Sequence, residues 1–491
     1  MIQSGNQKER HALPRWSSLN TAKKLGEMSP TKTKTISTSS PDDKELIELL
    51  GEWKQGKSLP LAVDIISAAK LSMSDEDISE VVAYAQNAAE EIKENNPLLK
   101  ELLFDSESPT VCDTDTHQVC IEKIKKSLVD RPRNPLLWSE LSREYTIMGQ
   151  EKKSERAIHV AYNLAPENRT VLRAIARFYA HNGDVEQALF YLRKSTLLKT
   201  DPWIVSSEIA LSNEMGRTSK NVKLGQKMVL DKKYHPLAIS ELASELGTMD
   251  FLSGSSKQGK KKLELATILP HENAIAQITW INKNAYNVES IMRSIPDTNC
   301  NFEAETRWYY DAQDWEKALE LAGLWQEYQP FSREPAMVSS FVATDFLMDY
   351  QRAEITLRCG LNSNPTDYRL LNNYVYVLAL SGQLDKANDA FLRAEKYSPE
   401  NYIPLIATAG LLSYRQGKEE LGKALYLKAI DTAKQRNSID LVYRATLCLA
   451  REEKRCGRPV GNILSSVQGA KYTPLWKQYD RIVNNFGLGN E

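Results

Sequence analysis

Prolines recur along the chain at a nearly constant interval. Successive members of one series are 34 to 36 residues apart, except for a single gap of 60 residues. Because proline cannot extend a helix and biases the preceding residue away from helix, each member is predicted to close a helix and so to mark the boundary between two helix pairs. An interval of this length accommodates two short helices and their turns, so the spacing predicts a chain of helical hairpins. The series is Pro97, Pro132, Pro166, Pro202, Pro236, Pro270, Pro330, Pro365 and Pro399.

The stretch Tyr368–Pro399 shows the content of one interval most clearly. Its first half has apolar residues at helical spacing and stops at Ser381-Gly382, which predicts one amphipathic helix and a turn. A second helix is predicted to begin at Asp385, and its inner face combines small residues with one aromatic ring. The residues predicted to face inward are Leu371, Tyr374, Val375, Leu378, Ala387, Ala390, Phe391 and Ala394.

This unit resembles the tetratricopeptide repeat. Gly382 stands at the turn, Ala387 and Ala394 at the small positions and Phe391 at the aromatic position of that pattern. Val375 departs from it by replacing the usual early glycine. The resemblance implies an all-α fold: a right-handed α-α superhelix, that is, a TPR-like solenoid of helix-turn-helix repeats with roughly nine to eleven helix pairs.

Composition shifts divide the chain further. Residues 1–40 carry seven Lys/Arg against two acids, whereas residues 41–120 carry eighteen Asp/Glu against six Lys/Arg. The predicted order is a disordered basic tail (1–40), a helical module (41–104), an acidic loop (105–118), a first repeat block (119–300, degenerate after about 203), a second repeat block (301–436) and capping helices (437–491).

Catalytic and cofactor motifs are not apparent. The net charge is −1, and none of the six cysteines belongs to a CxxC pair. Scattered thiols and the lack of a long apolar run favour a cytoplasmic protein without a membrane span. We therefore expect no enzyme activity, no cofactor and no metal.

Two segments imitate ligand sites. Gly254–Lys261 has the glycine and lysine spacing of a phosphate-binding loop, but Lys261 replaces the required hydroxyl residue and a helix replaces the preceding strand. Cys112, His117 and Cys120 lie near one another in the sequence, at a spacing that matches no structural metal site. Both are interpreted as incidental.

The first helix of each pair lines the inner groove in proteins with this repeat, so its polar residues are the binding candidates. Arginines one helical turn apart share a face, and guanidinium groups bind carboxylates, which favours a partner with an acidic segment. Asparagine side chains can pair with both groups of a peptide backbone. The candidates are Arg143, Arg173 and Arg177 in the first block and Arg369, Asn372, Asn373 and Tyr376 in the second. The arginines are expected to face solvent rather than the core, so replacing Arg173 and Arg177 by alanine should leave folding nearly intact. Ordinary solvated polar residues are the alternative interpretation for both clusters.

The basic tail contains one apolar island, which includes Leu13 and Trp16. Such an island either anchors the tail on the folded body or forms a linear docking motif.

The function implied by the resemblance is a non-catalytic scaffold or adaptor that binds a partner peptide or domain on its concave face. Two alternatives remain open. One is a helical-repeat RNA-binding protein, favoured only by the Lys-rich stretch Arg217–Lys262 and disfavoured by the near-zero charge. The other is a regulatory subunit of a separately encoded enzyme. The sequence gives no indication of the oligomeric state.

Overall fold

The computed structural model describes residues 13–16, parts of 46–84, and residues 114–231, 233–283, 288–295, 302–467 and 476–488. The regular elements among these residues are helices, and none of the described residues forms a strand. Two compact units are distinguished: an N-terminal unit over Glu9–Ala304 and a C-terminal unit over Glu305–Glu491.

The N-terminal unit consists of helical hairpins. In each hairpin a first helix packs against the second helix that follows it, and the first helices α2, α4, α6, α8 and α10 also pack against one another in that order. The helices are α1 (Thr114–Asp130), α2 (Pro135–Ile147), α3 (Glu151–Leu164), α4 (Arg169–His181), α5 (Val185–Lys194), α6 (Pro202–Glu214), α7 (Val222–Leu230), α8 (Pro236–Leu252), α9 (Ser256–Ala266), α10 (Glu272–Lys283) and α11 (Glu289–Met292).

The C-terminal unit repeats this arrangement, with α14, α16, α18 and α20 as successive packed first helices. Its first helix, α12 (Phe302–Asp311), begins in the last residues of the N-terminal unit. The others are α13 (Trp315–Tyr328), α14 (Arg333–Phe341), α15 (Tyr350–Ser363), α16 (Tyr368–Leu380), α17 (Leu384–Tyr397), α18 (Ile403–Arg415), α19 (Glu419–Gln435), α20 (Ile439–Arg455), α21 (Gly461–Ser465) and α22 (Trp476–Asn485). A π-helical turn, Val342–Phe346, follows α14.

These elements confirm the predicted all-α, TPR-like solenoid class of helix-turn-helix repeats. The pair α16 and α17 matches the interval from which the pattern was read, with Gly382 in the turn at φ +81°. Leu371, Ala387 and Ala394 are fully buried, as the helical spacing predicts.

The periodic prolines separate the hairpins, but some of them begin the next helix instead of closing the one before it. Pro202 and Pro236 occupy the first turns of α6 and α8. Proline is suited to that position because its fixed φ is helical and the first amide of a helix has no partner to lose. Asp201 completes the start of α6 by accepting from the amides of Trp203 and Ile204.

In two of the hairpins, glycines on the facing helices allow the two helices to approach each other closely. A Cβ atom on Gly422 would lie 2.5 Å from Tyr414 Cδ2 and 2.9 Å from the Gly410 carbonyl oxygen. In the other hairpin, a Cβ atom on Gly259 would lie 2.7 Å from a ring carbon of Phe251. These distances are too short for any side chain, so glycine sets the separation of the two helices.

The segment boundaries can be placed only in part. Helix α1 begins at Thr114, so residues 114–118 of the expected acidic loop are helical, while 105–113 lie outside the described residues. Most of the expected basic tail and of the module at 41–104 also lies outside them. The predicted capping segment at 437–491 contains α20, α21 and α22.

Candidate functional site

Polar side chains from the first helices of the N-terminal unit form a set that residues 13–16 link together, and we call this set the inner row. It comprises Arg143 on α2, Arg173 on α4, Glu241 on α8, Asn273 on α10 and Glu303 at the start of α12. Because the first helices from α2 to α10 pack against one another in sequence order and Ala304 of α12 packs against α10, residues up to 160 positions apart (143 to 303) can share one surface.

Arg173 and Glu241 form a buried ion pair at the centre of the inner row. The two guanidinium NH groups of Arg173 donate to the two carboxylate oxygens of Glu241 at 3.0 and 3.1 Å. The guanidinium carbon lies 4.8 Å from the ring centre of Trp203, and the side chains are only 7 % and 0 % exposed. Burial by itself raises the pKa of Glu241, but Arg173 and His271 outweigh it and lower this pKa to about 2.

Glu241 extends the network toward α10. Its Oε1 lies 2.7 Å from Nδ1 of His271 and accepts a hydrogen bond of 3.3 Å from Nδ2 of Asn273. The carboxylate therefore has partners from two other first helices, α4 and α10, and it orients Asn273 at the surface of the row.

Arg143 is held by a second network. Its NH1 donates to Oε1 of Glu144 at 2.9 Å, and Oε2 of Glu144 lies 2.7 Å from Nδ1 of His117. Burial raises the pKa of the Glu144 carboxyl, but His117 and Arg143 together outweigh burial and lower it. The guanidinium of Arg143 bonds Glu144 through NH1, and its Nε bonds a different acceptor.

That Nε binds the N-terminal segment, residues 13–16. Arg143 Nε donates to the carbonyl oxygen of Trp16 at 3.0 Å, and Asn273 Nδ2 donates to the carbonyl oxygen of Leu13 at 2.7 Å. Arg15 donates through Nε to Asn273 Oδ1 at 2.9 Å and through NH2 to Glu303 Oε2 at 2.7 Å. Trp16 is 5 % exposed. We call the surface that holds this segment, defined by Arg143, Asn273 and Glu303, the N-terminal groove.

The contacts of this short segment require the inner row to be curved. Helices α2 and α10 are four first-helix steps apart, and packed helices lie about 8–10 Å from axis to axis, so a straight row would separate them by roughly 32–40 Å. Four extended residues span at most about 14 Å. Since Arg143 and Asn273 both reach the segment, the first helices curve around it.

The expectation that the first-block arginines face solvent as free donors is wrong for two of them. Arg143 and Arg173 are 4 % and 6 % exposed, and each already has a carboxylate partner. Arg177, one turn beyond Arg173, is half-buried. The physical reason is that a guanidinium on a curved inner surface loses its water and must be paired, and Glu144 and Glu241 provide the pairing.

The second-block candidates lie in the C-terminal unit. Asn372, Asn373 and Tyr376 line a cavity of about 30 Å³, which has space for about two or three water molecules. Arg369 does not line this cavity; it lies 3.5 Å from Asp367 and over the ring of Tyr368. Three of the four candidates are therefore brought together and one is not.

The same cavity borders the π-helical turn. Asp345, in that turn, pairs through Oδ2 with Arg444 of α20, and the Arg444 guanidinium lies 4.2 Å from the ring centre of Phe341. Asp345 Oδ1, Thr344 Oγ1 and Asn372 Oδ1 are buried and have no hydrogen-bond partner among the described residues. π-helical turns often mark functional positions in helices.

The structure shows what surrounds the two segments whose residue spacing resembles a ligand site. Gly254 turns the chain at φ +84° between α8 and α9, and Lys260 and Lys261 belong to α9. His117 contacts Glu144, Cys112 lies outside the described residues, and no metal-binding cluster of His, Cys, Asp or Glu occurs within the described part of the chain. Among those same residues, no helix has the length and apolar character needed to cross a membrane.

Sequence reasoning missed Asn273, Glu303 and the carboxylates of Glu144 and Glu241. All four lie on first helices, so the rule that selected the arginines could also have selected them. The first-block candidates were chosen as cations, and that criterion leaves out both Asn273 and the acids that neutralise the arginines.

The helices and the groove define a protein of stacked helical hairpins whose N-terminal unit holds a short chain segment without regular secondary structure. No family model and no curated protein matches the sequence. Solved structures of low similarity include human IFIT1, a dimer with PPP-AAAA, at 13 % identity over 76 % of this chain and 95 % of that one, with a TM-score of 0.37.

Yeast Tom70 is 12 % identical over 82 % of this chain and 95 % of that one, with a TM-score of 0.29. Naa15/Naa10 bound to HypK-THB is 12 % identical over 91 % of this chain and 89 % of that one, with a TM-score of 0.28. Because these scores are low, the fold class rests on the observed helical hairpins.

Proposed function

We propose that this protein is a non-catalytic, cytoplasmic scaffold of the tetratricopeptide type, and that its N-terminal groove binds an extended peptide segment of a protein partner. The observation that carries the proposal is the N-terminal segment itself. It lies in the groove with two of its carbonyl oxygens bound by side chains, as the backbone of a peptide ligand would be.

The composition of the groove supports peptide binding in particular. Asn273 donates to one backbone carbonyl and accepts from the side chain of Arg15, so a single amide reads both backbone and side chain. Its orientation is fixed by Glu241, which is fully buried. A donor held in place before binding loses little entropy when the ligand arrives.

The charges favour a protein partner over RNA. Cations within Arg217–Lys262 are partly engaged by acids: Arg217 NH1 lies 2.6 Å from Glu186, and Lys262 pairs with Asp250. A paired cation contributes less to the release of counterions that drives nucleic-acid binding.

The test uses the full chain with Arg15→Ala and Trp16→Ala, which we call the released variant because its own segment can no longer bind Glu303 and bury its ring. The probe is a fluorescein-labelled peptide of residues 11–19, HALPRWSSL. We expect saturable binding in fluorescence anisotropy. Adding Asn273→Ala removes two hydrogen bonds to the probe, each worth about 1 kcal/mol, and should weaken binding by roughly tenfold or more.

Two controls accompany this measurement. A peptide of the same composition in shuffled order should bind more weakly than the probe. Arg293→Glu added to the released variant reverses a charge at an exposed position, 77 % accessible, and should leave binding as in the released variant without it. Absence of saturable peptide binding to a folded released variant would rule out the proposed function, and preference for a single-stranded RNA over the peptide would favour the RNA alternative.

A further inference from the structure

The N-terminal segment has the contacts of a ligand and occupies the surface to which a partner would bind. We propose that it is an intramolecular competitor, and that the partner displaces it with a segment of the same chemistry: an arginine followed by a large aromatic residue. This inference rests on the proposed function, because it names the kind of partner for that same groove.

The first support is the way the segment is held. Residues 13–16 have no regular secondary structure, and the two hydrogen bonds to their carbonyl oxygens come from side chains of helices α2 and α10, far away in sequence. A strand or helix would satisfy its carbonyls through backbone amides. Carbonyls bound by side chains are available to any extended chain, so the groove can exchange one occupant for another.

The second support is the charge at the Arg15 position. Arg15 NH2 and Glu303 Oε2 are 2.7 Å apart, and each side chain is 11 % exposed. A charge buried to this extent is stable only with an opposite charge beside it. An acidic residue at this position would place a second carboxylate beside Glu303, whereas lysine or arginine would be accepted.

The third support is that the arginines of the row are already neutralised. Arg143 and Arg173 have Glu144 and Glu241 as partners, and these carboxylates are 4 % and 0 % exposed. An acidic ligand would have to compete with buried carboxylates for them. We therefore reverse the sequence-based expectation of an acidic partner segment: the groove selects for a basic one.

The aromatic requirement follows from Trp16. It is 5 % exposed, so nearly the whole indole is removed from water, and its own carbonyl is bound by Arg143. Large aromatic side chains are the usual anchors of peptide interfaces, because they bury most area for each rotatable bond. A partner that lacks such a side chain would leave this space unfilled.

The strength of the competition follows from the covalent connection. A tethered segment reaches a local concentration of about 1 mM. If the segment itself binds the empty groove with a Kd of about 10 µM, the ratio of the two weakens the binding of any competing partner to the wild-type chain about 100-fold. The released variant should lack this penalty.

The experiment compares the HALPRWSSL probe on the wild-type chain and on the released variant. We expect the wild-type chain to bind at least tenfold more weakly. In the released variant, the peptide with Arg15→Glu should bind poorly, and Glu303→Arg in the protein should restore binding of that peptide while weakening the original. This charge exchange is not mimicked by a general loss of folding, and thermal melting in parallel confirms that each variant is folded.

Each outcome has one meaning. Equal binding of the probe to the wild-type chain and the released variant would overturn the competitor inference and leave the proposed function standing. Failure of the charge exchange, with normal binding of the original probe, would overturn the assignment of a basic partner. A wild-type dimer that dissociates when residues 15 and 16 are changed would place the segment in a second copy and overturn competition within one chain.

Discussion

The buried pair between Arg173 and Glu241 allows a direct test of the structure against the sequence pattern. From the sequence, Arg173→Ala should remove a solvent-facing donor and leave folding intact. In the structure, the same change removes both hydrogen bonds to Glu241 and the cation over Trp203. It also leaves a carboxylate with 0 % exposure without its main countercharge.

Two independent arguments give the size of the effect. Removing one partner of a buried ion pair costs about 3–5 kcal/mol, because the remaining charge is desolvated without compensation. The pKa of Glu241 is about 2, against 4.5 for an ordinary glutamate, and a difference of that size corresponds to about 3 kcal/mol of favourable interaction with the charged form. We expect Arg173→Ala to lower the free energy of unfolding by about 3 kcal/mol.

The assay is urea denaturation followed by circular dichroism at neutral pH. Arg217→Ala is the matched control, because it breaks an Arg–Glu pair in which both side chains are more than half exposed. Such exposed pairs contribute about 0–1 kcal/mol. If Arg173→Ala cost no more than Arg217→Ala, the burial and pairing of Arg173 described above would be wrong.

Three further predictions concern pH, packing and ligand binding. Because the folded pKa of Glu241 is depressed, its stabilising contribution is present above pH 4.5 and is lost as the pH falls from 4.5 toward 2; Glu241→Gln should flatten the acid side of a melting-temperature profile, and an unchanged slope would contradict the pairing. Gly422→Ala should destabilise by about 1–3 kcal/mol through its clash with Tyr414, whereas Gly323→Ala, where a Cβ meets nothing within 4 Å, should be neutral or slightly stabilising; equal melting temperatures would show that the close approach is not rigid. Isothermal titration should detect no ATP binding, and micromolar affinity abolished by Lys260→Ala would refute our reading of Gly254–Lys261 as a turn and a helix.

The hairpin architecture could be predicted because its determinants are local. A proline, a turn glycine such as Gly382 and alternating small and large residues at Ala387 and Phe391 act within one interval of the chain, whatever the other intervals do. Helix ends are less well determined, since proline is compatible with both the end of one helix and the start of the next. Pro202 therefore marks a boundary, as predicted, but it lies at the start of α6 and not at the end of the preceding helix.

The binding residues were found only in part, because charge and exposure are set by distant neighbours. The sequence identified Arg143, Leu13 and Trp16 as separate candidates, and only the fold brings α2 against residue 16, 127 positions away.

The chain's pattern of residues thus determined which segments become helices and which faces are buried, since both depend on contacts a few residues apart. The tertiary structure decided that Arg173 is neutralised and that the groove presents Glu303 to its occupant. The sign and exposure of a charge depend on which side chains the curvature of the stacked helices places beside it, and a repeat pattern does not encode that curvature.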